Sequence, residues 1–433
     1  MRHFISVIIL TFFITTNHAA QAQNQDGYWG LPDILQHVHD NNPTLKAARE
    51  ELHETMELYP QARAGWLPTV SGEARLFATD IESSNFGNGT GATTKDMTVS
   101  LDQPIWRGGR TFAETARARD LIRAGEAVLS QAEQDIFLEA VTVYMNVLRD
   151  RKILDLRLHN EDILTQELHA ARERMAIGDI TTTDVQQARS RLARAEAERI
   201  KAEGDFDMSC AAFEDIVGMA VPDVLLVHHS RIALPTDMND MITLAERQNP
   251  ELMIIQFEQR AAEHGADATF RELLPQLAAF ASYNKQYDPQ PGIVDESQTE
   301  MVGLRATITL YEGGAARSRL REARRSAKRQ HYEIQETRQR IKRTVTKHWR
   351  AYQTAKAQIE SRKAQITATE AALEGVRIEA REGQRTVLDV LDADQEVIDA
   401  KAALARARRD EVVAKFALAN SLGLLRPDIF KDL

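Results

Sequence analysis

Few residues in this 433-residue chain are spaced to do chemistry, and those that are do electrostatic work. Asp389 and Asp392 stand three apart, which places both carboxylates on one face of a helix. Asp184 and Asp389 each follow a glycine, Gly178 and Gly383, by six residues. A glycine accepts the left-handed conformation that a helix reversal needs, and a carboxylate suits the positive start of the returning helix. For Asp184 the choice is between helix capping alone and a mechanical role at the reversal, and for Asp389 with Asp392 between a charged site at the tip and a solvated surface pair. His228-His229 lacks the further fixed ligands of a metal site and reads as surface. Cys210, the single cysteine, lies among alanines and reads as a small packed side chain; alone it forms no intrachain disulfide. Gly313-Gly314 precedes a helix but has no Walker lysine or GxGxxG around it. The run 317–329 (RSRLREARRSAKR) carries interspersed Ala and Leu on a helix, the pattern of a solvated or intersubunit face. With neither a nucleophile elbow nor an HExxH pair, the residues nominate no catalytic site and no cofactor.

The elements that must position these residues are long helices. Aromatic residues are only 6% of the chain, thin for conventional globular cores, whereas Ala, Glu, Arg and Gln abound. A formal charge of −10 argues against a general nucleic-acid binder. Residues 1–22 (MRHFISVIILTFFITTNHAAQA) have the basic start, the apolar stretch and the Ala20-Gln21-Ala22 cleavage pattern of a signal peptide. Beyond it no apolar run is long enough for a spanning helix. Cleavage after Ala22 leaves no N-terminal cysteine to carry a lipid.

The chain is written twice. Asn42-Pro43 returns as Asn249-Pro250 and Leu67-Pro68 as Leu274-Pro275, both at an offset of 207 residues. Gly108-Gly109 returns as Gly313-Gly314, Gly178 as Gly383, Asp184 as Asp389 and Gly218 as Gly423, all at 205. The expected layout is a signal peptide over 1–22, a first repeat over 23–221, a connector over 222–237 and a second repeat over 238–433. Each repeat opens with a helix, over 31–64 in the first. A two-residue alternation comes next. Val70, Gly72, Ala74 and Leu76 face one way against Thr69, Ser71, Glu73 and Arg75. After a polar loop at 83–96, Met97, Val99 and Leu101 alternate with Thr98, Ser100 and Asp102. The second repeat alternates again over 301–310, and only 276–285 is ambiguous, because Phe280 falls on the otherwise polar face. The hairpins span about 67–106 and 274–311. Their strand length and one-sided apolarity fit a membrane β-barrel strand or a soluble hairpin with one buried face.

Helical hairpins complete each repeat, over about 110–219 and 315–422. The stretch from Arg110 to Met175 has no proline, and Ile136, Ala140, Val143 and Val147 recur at three and four spacing. About 65 helical residues reach ~100 Å, so they must pack lengthwise on other helices. Four amphipathic strands cannot close a barrel, so strands that span a bilayer must be pooled from several chains. In a trimer, Asp389 and Asp392 would contribute six carboxylates near the tip. The expected class is mainly α with membrane β, built from a duplicated helix, β-hairpin, long helix and helix unit.

In this order, with the glycine pairs after Trp106-Arg107 and Tyr311-Glu312 and the turn motifs AIGDITTTDVQ (176–186) and EGQRTVLDVLDA (382–393), the chain resembles the TolC family of outer-membrane efflux proteins. The resemblance implies a homotrimer, a twelve-stranded barrel in outer-membrane lipid and a helical tunnel through the periplasm. It implies a periplasmic adaptor and an inner-membrane transporter as partners, in an efflux pump or type I secretion system. It places Asp389 and Asp392 at a constricted entrance that attracts cations. Arg385 becomes a latch that reaches Thr183 and Asp184 in the other repeat. Gly178, Thr181, Gly383 and Thr386 become turns that touch the adaptor. Ala380 stands where some members carry a second, tyrosine tie, which implies a weaker latch. The competing expectation is a soluble periplasmic coiled-coil adaptor or scaffold.

Overall fold

The computed structural model describes residues 28–79, 92–226, 232–290 and 294–427. The proposed signal peptide and His228-His229 lie outside these residues, as does most of the polar loop expected at 83–96. Its last residues, from Ala92, are already strand.

The opening helix expected over 31–64 is broken in two places, into α1 (Leu31–Asn41), α2 (Pro43–Met56) and α3 (Leu58–Arg63). Proline has no N–H and disfavours helix in the residue before it, so Asn42 leaves the helical conformation and caps α2. Its carboxamide oxygen accepts from Thr44 N at 2.9 Å and Leu45 N at 3.2 Å. The second repeat breaks at the same place, between α6 (Met238–Gln248) and α7 (Pro250–Arg271).

Two short strands that the sequence did not announce pin the connector. Tyr28–Trp29 (β1) pairs in parallel with Val224–Leu225 (β4). Beneath them Tyr144 is fully buried and donates its hydroxyl to the Leu226 carbonyl at 2.5 Å. Burial holds its phenol well above the ordinary range.

The hairpins are β2 (Thr69–Thr79) with β3 (Ala92–Arg107), and β5 (Gln276–Gln290) with β6 (Val294–Thr307). They join into one antiparallel sheet of order β2-β3-β5-β6, open at both edges. Their registers coincide under the repeat offsets: Thr69 opposes Asp102 as Gln276 opposes Thr307. Phe280 breaks the alternation for a local reason. It sits across from Gly303, whose missing side chain leaves room for the ring. On one face, Val70, Leu76, Met97, Val99, Val302 and Leu304 are all exposed, up to 85% for Val302.

Below the sheet run α4 (Arg110–Ala176) and α8 (Ala315–Arg381), each 67 residues and therefore ~100 Å long. They return as α5 (Thr182–Val217) and α9 (Val387–Ser421). The main core sits where α1 and α2 cross the long helices. Leu31, Ile34 and Leu35 pack on Phe137, Val141 and Tyr144 of α4, with Phe213 of α5 and Phe416 of α9. A second core repeats this with Met241 and Leu252 against Ile334, Ile341 and Leu418. Towards the tip only thin seams remain, such as Leu164, Ala195 and Leu391. Among the described residues no helix is long and apolar enough to cross a membrane.

Candidate functional site: the helix turns at the tip

The end of the helical hairpins farthest from the sheet gathers all nine residues singled out from the sequence. Gly178 has φ +81° and Gly383 φ +77°, the left-handed conformation that lets each long helix stop and reverse. Backbone bonds close both turns in the same pattern: Asp179 N donates to Arg174 O and Gln384 N to Glu379 O, each at 2.9 Å.

The two returning helices open on matching caps. Thr181 and Thr386 are the capping residues of α5 and α9. Asp184 Oδ2 accepts from Thr181 N at 2.9 Å and from Thr181 Oγ1 at 2.8 Å, and Asp184 N donates to Thr181 Oγ1 at 3.3 Å. Asp389 and Thr386 repeat these three bonds at 2.9, 2.8 and 3.3 Å. Each reciprocal pair satisfies two donors that a helix start leaves orphaned. The bonds from Thr181, backbone N–H first and hydroxyl second, hold the Asp184 carboxyl below the usual carboxylate range. Those from Thr386 do the same for Asp389, with a smaller contribution from Arg385. Both acids thus cap their helices within the chain.

Arg385 does not reach Thr183 or Asp184 within the chain. Its Nε donates to Glu379 Oε2 at 2.9 Å, on the last turn of α8, and that bond raises the guanidinium pKa further. Thr183 is exposed beside its cap. The implied reach across repeats is thus absent from the single subunit, where Glu379 is simply the nearer anion.

Asp392 has a partner that sequence reasoning missed. Arg191 Nη1 on α5 donates to Asp392 Oδ1 on α9 at 2.6 Å and ties the two repeats across the tip. A second tie lies deeper. Arg157 of α4, only 12% exposed, contacts Glu198 of α5 at 3.0 Å and Asp399 of α9 at 2.9 Å. Asn160 donates to Gln395 at 3.2 Å nearby, and Arg377 of α8 reaches Asp394 at 3.3 Å. No spacing rule links Arg191 to a carboxylate 201 positions away. Only the repeat, which aligns α5 with α9, hinted that these helices run side by side.

The model of the outer membrane efflux protein family matches residues 34–219 and 241–424, one span in each half of the chain. This chain belongs to that family. It is an outer-membrane transport channel with a periplasmic extension, and not an enzyme. It is 26% identical over 424 residues to the outer membrane efflux protein BepC of Brucella suis, covering 98% of this chain and 90% of that one. It is 22% identical to the outer membrane protein TolC of Escherichia coli over 442 residues, covering 98% and 87%. The solved Campylobacter jejuni CmeC outer membrane channel superposes with a TM-score of 0.79 at 15% identity, over 91% of this chain and 85% of that one. The soluble adaptor or scaffold alternative falls with this assignment.

Proposed function

We propose that three copies of this chain form the exit duct of a tripartite efflux pump or type I secretion system. A periplasmic adaptor seals it at the tip turns, and an inner-membrane transporter supplies the substrate and the energy. Export follows cleavage of the signal peptide after Ala22, with no lipid added. The duct is passive, so its own residues need only line, hold and open a conduit. The observation that carries this is the pairing of an open, lipid-compatible sheet with helical hairpins ~100 Å long in a member of this family. Three four-stranded sheets supply twelve strands, which removes every edge.

The gate lies at the tip. Arg385, exposed and held by Glu379 in the single chain, exchanges that partner for Thr183 and Asp184 across a closed joint. Arg191–Asp392 is a second tie, between the repeats of one chain. The turns at Gly178, Thr181, Gly383 and Thr386 are the adaptor's contact points, and docking there breaks the ties and lets the hairpins splay. With Ala380 in place of a tyrosine, the closed state rests on ionic ties, which salt screens. Single-channel recording in planar bilayers tests the gate. Arg385→Ala is expected to raise conductance, and a variant whose conductance and closure match the wild type would overturn the latch.

A further inference from the structure

The two long helices share a layout but not a surface. Where α8 passes the second core, Val345, Trp349 and Tyr352 pack with Met241 and Ala245 of α6. Counting back from Val345 in steps of seven gives Arg338, His331, Arg324 and Arg317; from Trp349 it gives Lys342, Gln335, Lys328 and Arg321. A helix packed lengthwise on its neighbours keeps such rows on one face. All eight residues are exposed, six are Arg or Lys, and none is acidic. Among the described residues none of these six makes an ion pair. Arg319, Arg329 and Arg340, in other rows of the same helix, pair with Glu312, Glu333 and Glu251.

The offset of 205 converts Arg317, Arg321, Arg324 and Lys328 to Phe112, Ala116, Arg119 and Arg123 of α4, and Arg338 to Glu133. That row is mixed and satisfied from within. Arg119 donates to the Tyr59 hydroxyl at 3.1 Å and lies over its ring. Arg123 pairs at 3.2 Å with Asp120, which also faces His264 at 3.4 Å, and Glu133 lies 3.7 Å from His39. On α8, by contrast, Arg317 and Arg321, Arg324 and Lys328, and Arg338 and Lys342 stand four apart, a spacing at which like charges repel and weaken a helix. Glu263 on the adjoining α7 accepts from its own Gln259 at 2.6 Å and not from this row. The second repeat therefore carries an uncompensated cationic stripe. From Arg317 to Lys342 it covers 342 − 317 = 25 residue steps, or ~38 Å, from just below the sheet to the level of α6.

We propose that this stripe is a docking surface for the carboxylate-bearing peptides of the cell-wall glycan through which a periplasmic shaft passes. The proposal rests on the duct described above in one respect: the α6 side is the outer side, because three copies of α1 and α6 on the inner side would fill the tunnel. The length of the stripe chooses the partner. A lipid surface ends at the sheet, and screening confines its pull to ~8 Å, so it reaches Arg317 and Arg321 and leaves Lys328, Arg338 and Lys342 unmatched. A crosslinked glycan with free carboxylates at many points follows the row for its whole length. Each exposed contact is weak, and several on one shaft add through multivalency. Docked in this way, the wall holds the shaft at a fixed height without touching the tunnel or the tip.

Co-sedimentation of the full-length protein in detergent with purified, lipid-free cell-wall sacculi tests the stripe, with native mass measured alongside. Wild type is expected to sediment at low salt and to be released at high salt. Arg317→Gln, Arg321→Gln, Arg324→Gln and Lys328→Gln combined should weaken binding by roughly tenfold or more, whereas Arg119→Gln with Arg123→Gln on the other long helix should leave it unchanged. Sacculi whose carboxylates have been converted to amides should fail to capture the wild type, a result that needs no variant to fold. Equal capture by amidated sacculi, or of the fourfold variant, would overturn the proposal. So would a trimeric wild type that stays in the supernatant yet is retained on beads coated with anionic phospholipid, which would make the ligand a headgroup. A fourfold variant that falls apart into monomers would assign the stripe to contacts between copies instead. A monomeric wild type would overturn the duct itself, and with it the outer placing of this face.

Discussion

At the tip, the two repeats are copies in detail: the same left-handed glycine, the same threonine cap and the same three bond lengths around Asp184 and Asp389. At the membrane end, the repeats share a backbone and strand register, but one glycine pair is packed and the other stands open. The difference lies in what each end asks of its neighbours. A capped turn is satisfied by residues three to five positions away, so it forms wherever its sequence occurs. A glycine corner between a strand and a helix is completed only by another element. At Gly108-Gly109 that element is the end of α7, and at Gly313-Gly314 the described residues of the chain supply none.

The largest expected effect separates these two ends. Gly108→Ala must hold an alanine in left-handed space, at about 1–2 kcal/mol, and also push its Cβ into the backbone of α7. Gly313→Ala meets only the first of these costs in an isolated subunit. Thermal unfolding followed by circular dichroism should show the deeper loss for Gly108→Ala, with the Gly313→Ala deficit concentrated in trimer yield. Equal losses in the monomeric fraction would break the contrast. Next in size, Thr181→Ala and Thr386→Ala should each cost about 0.5–2 kcal/mol and do so equally, seen as faster hydrogen exchange in the first turns of α5 and α9. Unequal effects would mean that the matching caps carry different loads in the assembly.

Smaller again is the pH dependence of those caps. The Asp184 and Asp389 carboxyls are depressed by the Thr181 and Thr386 donors, so their stabilisation is full above the ordinary carboxylate value of about 4 and fades as pH falls through the depressed folded values. Carboxyl-carbon NMR titration should find both midpoints low, and Thr386→Ala should move that of Asp389 upward while leaving Asp184 in place. The smallest effect on stability is expected from Arg191→Ala, which removes an exposed pair of about 0.2–1 kcal/mol. It also frees the Asp392 carboxylate. Reversal potentials at low salt should shift toward greater cation preference, and the shift should vanish at high salt.

Much of this fold was legible because it repeats. Four landmark pairs at 205 and two at 207 locate the hairpins and the reversals, since an insertion anywhere would show as a drift in offset. Helix bounds were legible too, because Gly178 and Gly383 punctuate otherwise unbroken runs. The break at Asn42 is written in Pro43, although the apolar period runs on through it and suggests one longer helix. Phe280 remained ambiguous for a deeper reason. Its face is decided by Gly303 on the neighbouring strand, 23 positions away, and alternation within one strand cannot report on the next. Arg191 and Arg157 were illegible as site residues, because a basic residue on a charged helix surface looks the same whether solvent or a distant Asp392 or Asp399 receives it.

By itself the sequence determined the duplication, the strand faces, the two long hairpins and the caps and turns at their tips, since each depends on short-range stereochemistry or on periodicity along one segment. Tertiary structure alone decided which charges meet between distant helices: Arg191 with Asp392, Asp120 with His264. It also decided which of two identical glycine corners is filled. Those outcomes depend on the lateral order of elements around the shaft, which is set by packing between segments some 200 residues apart and leaves no trace in the spacing of any one of them.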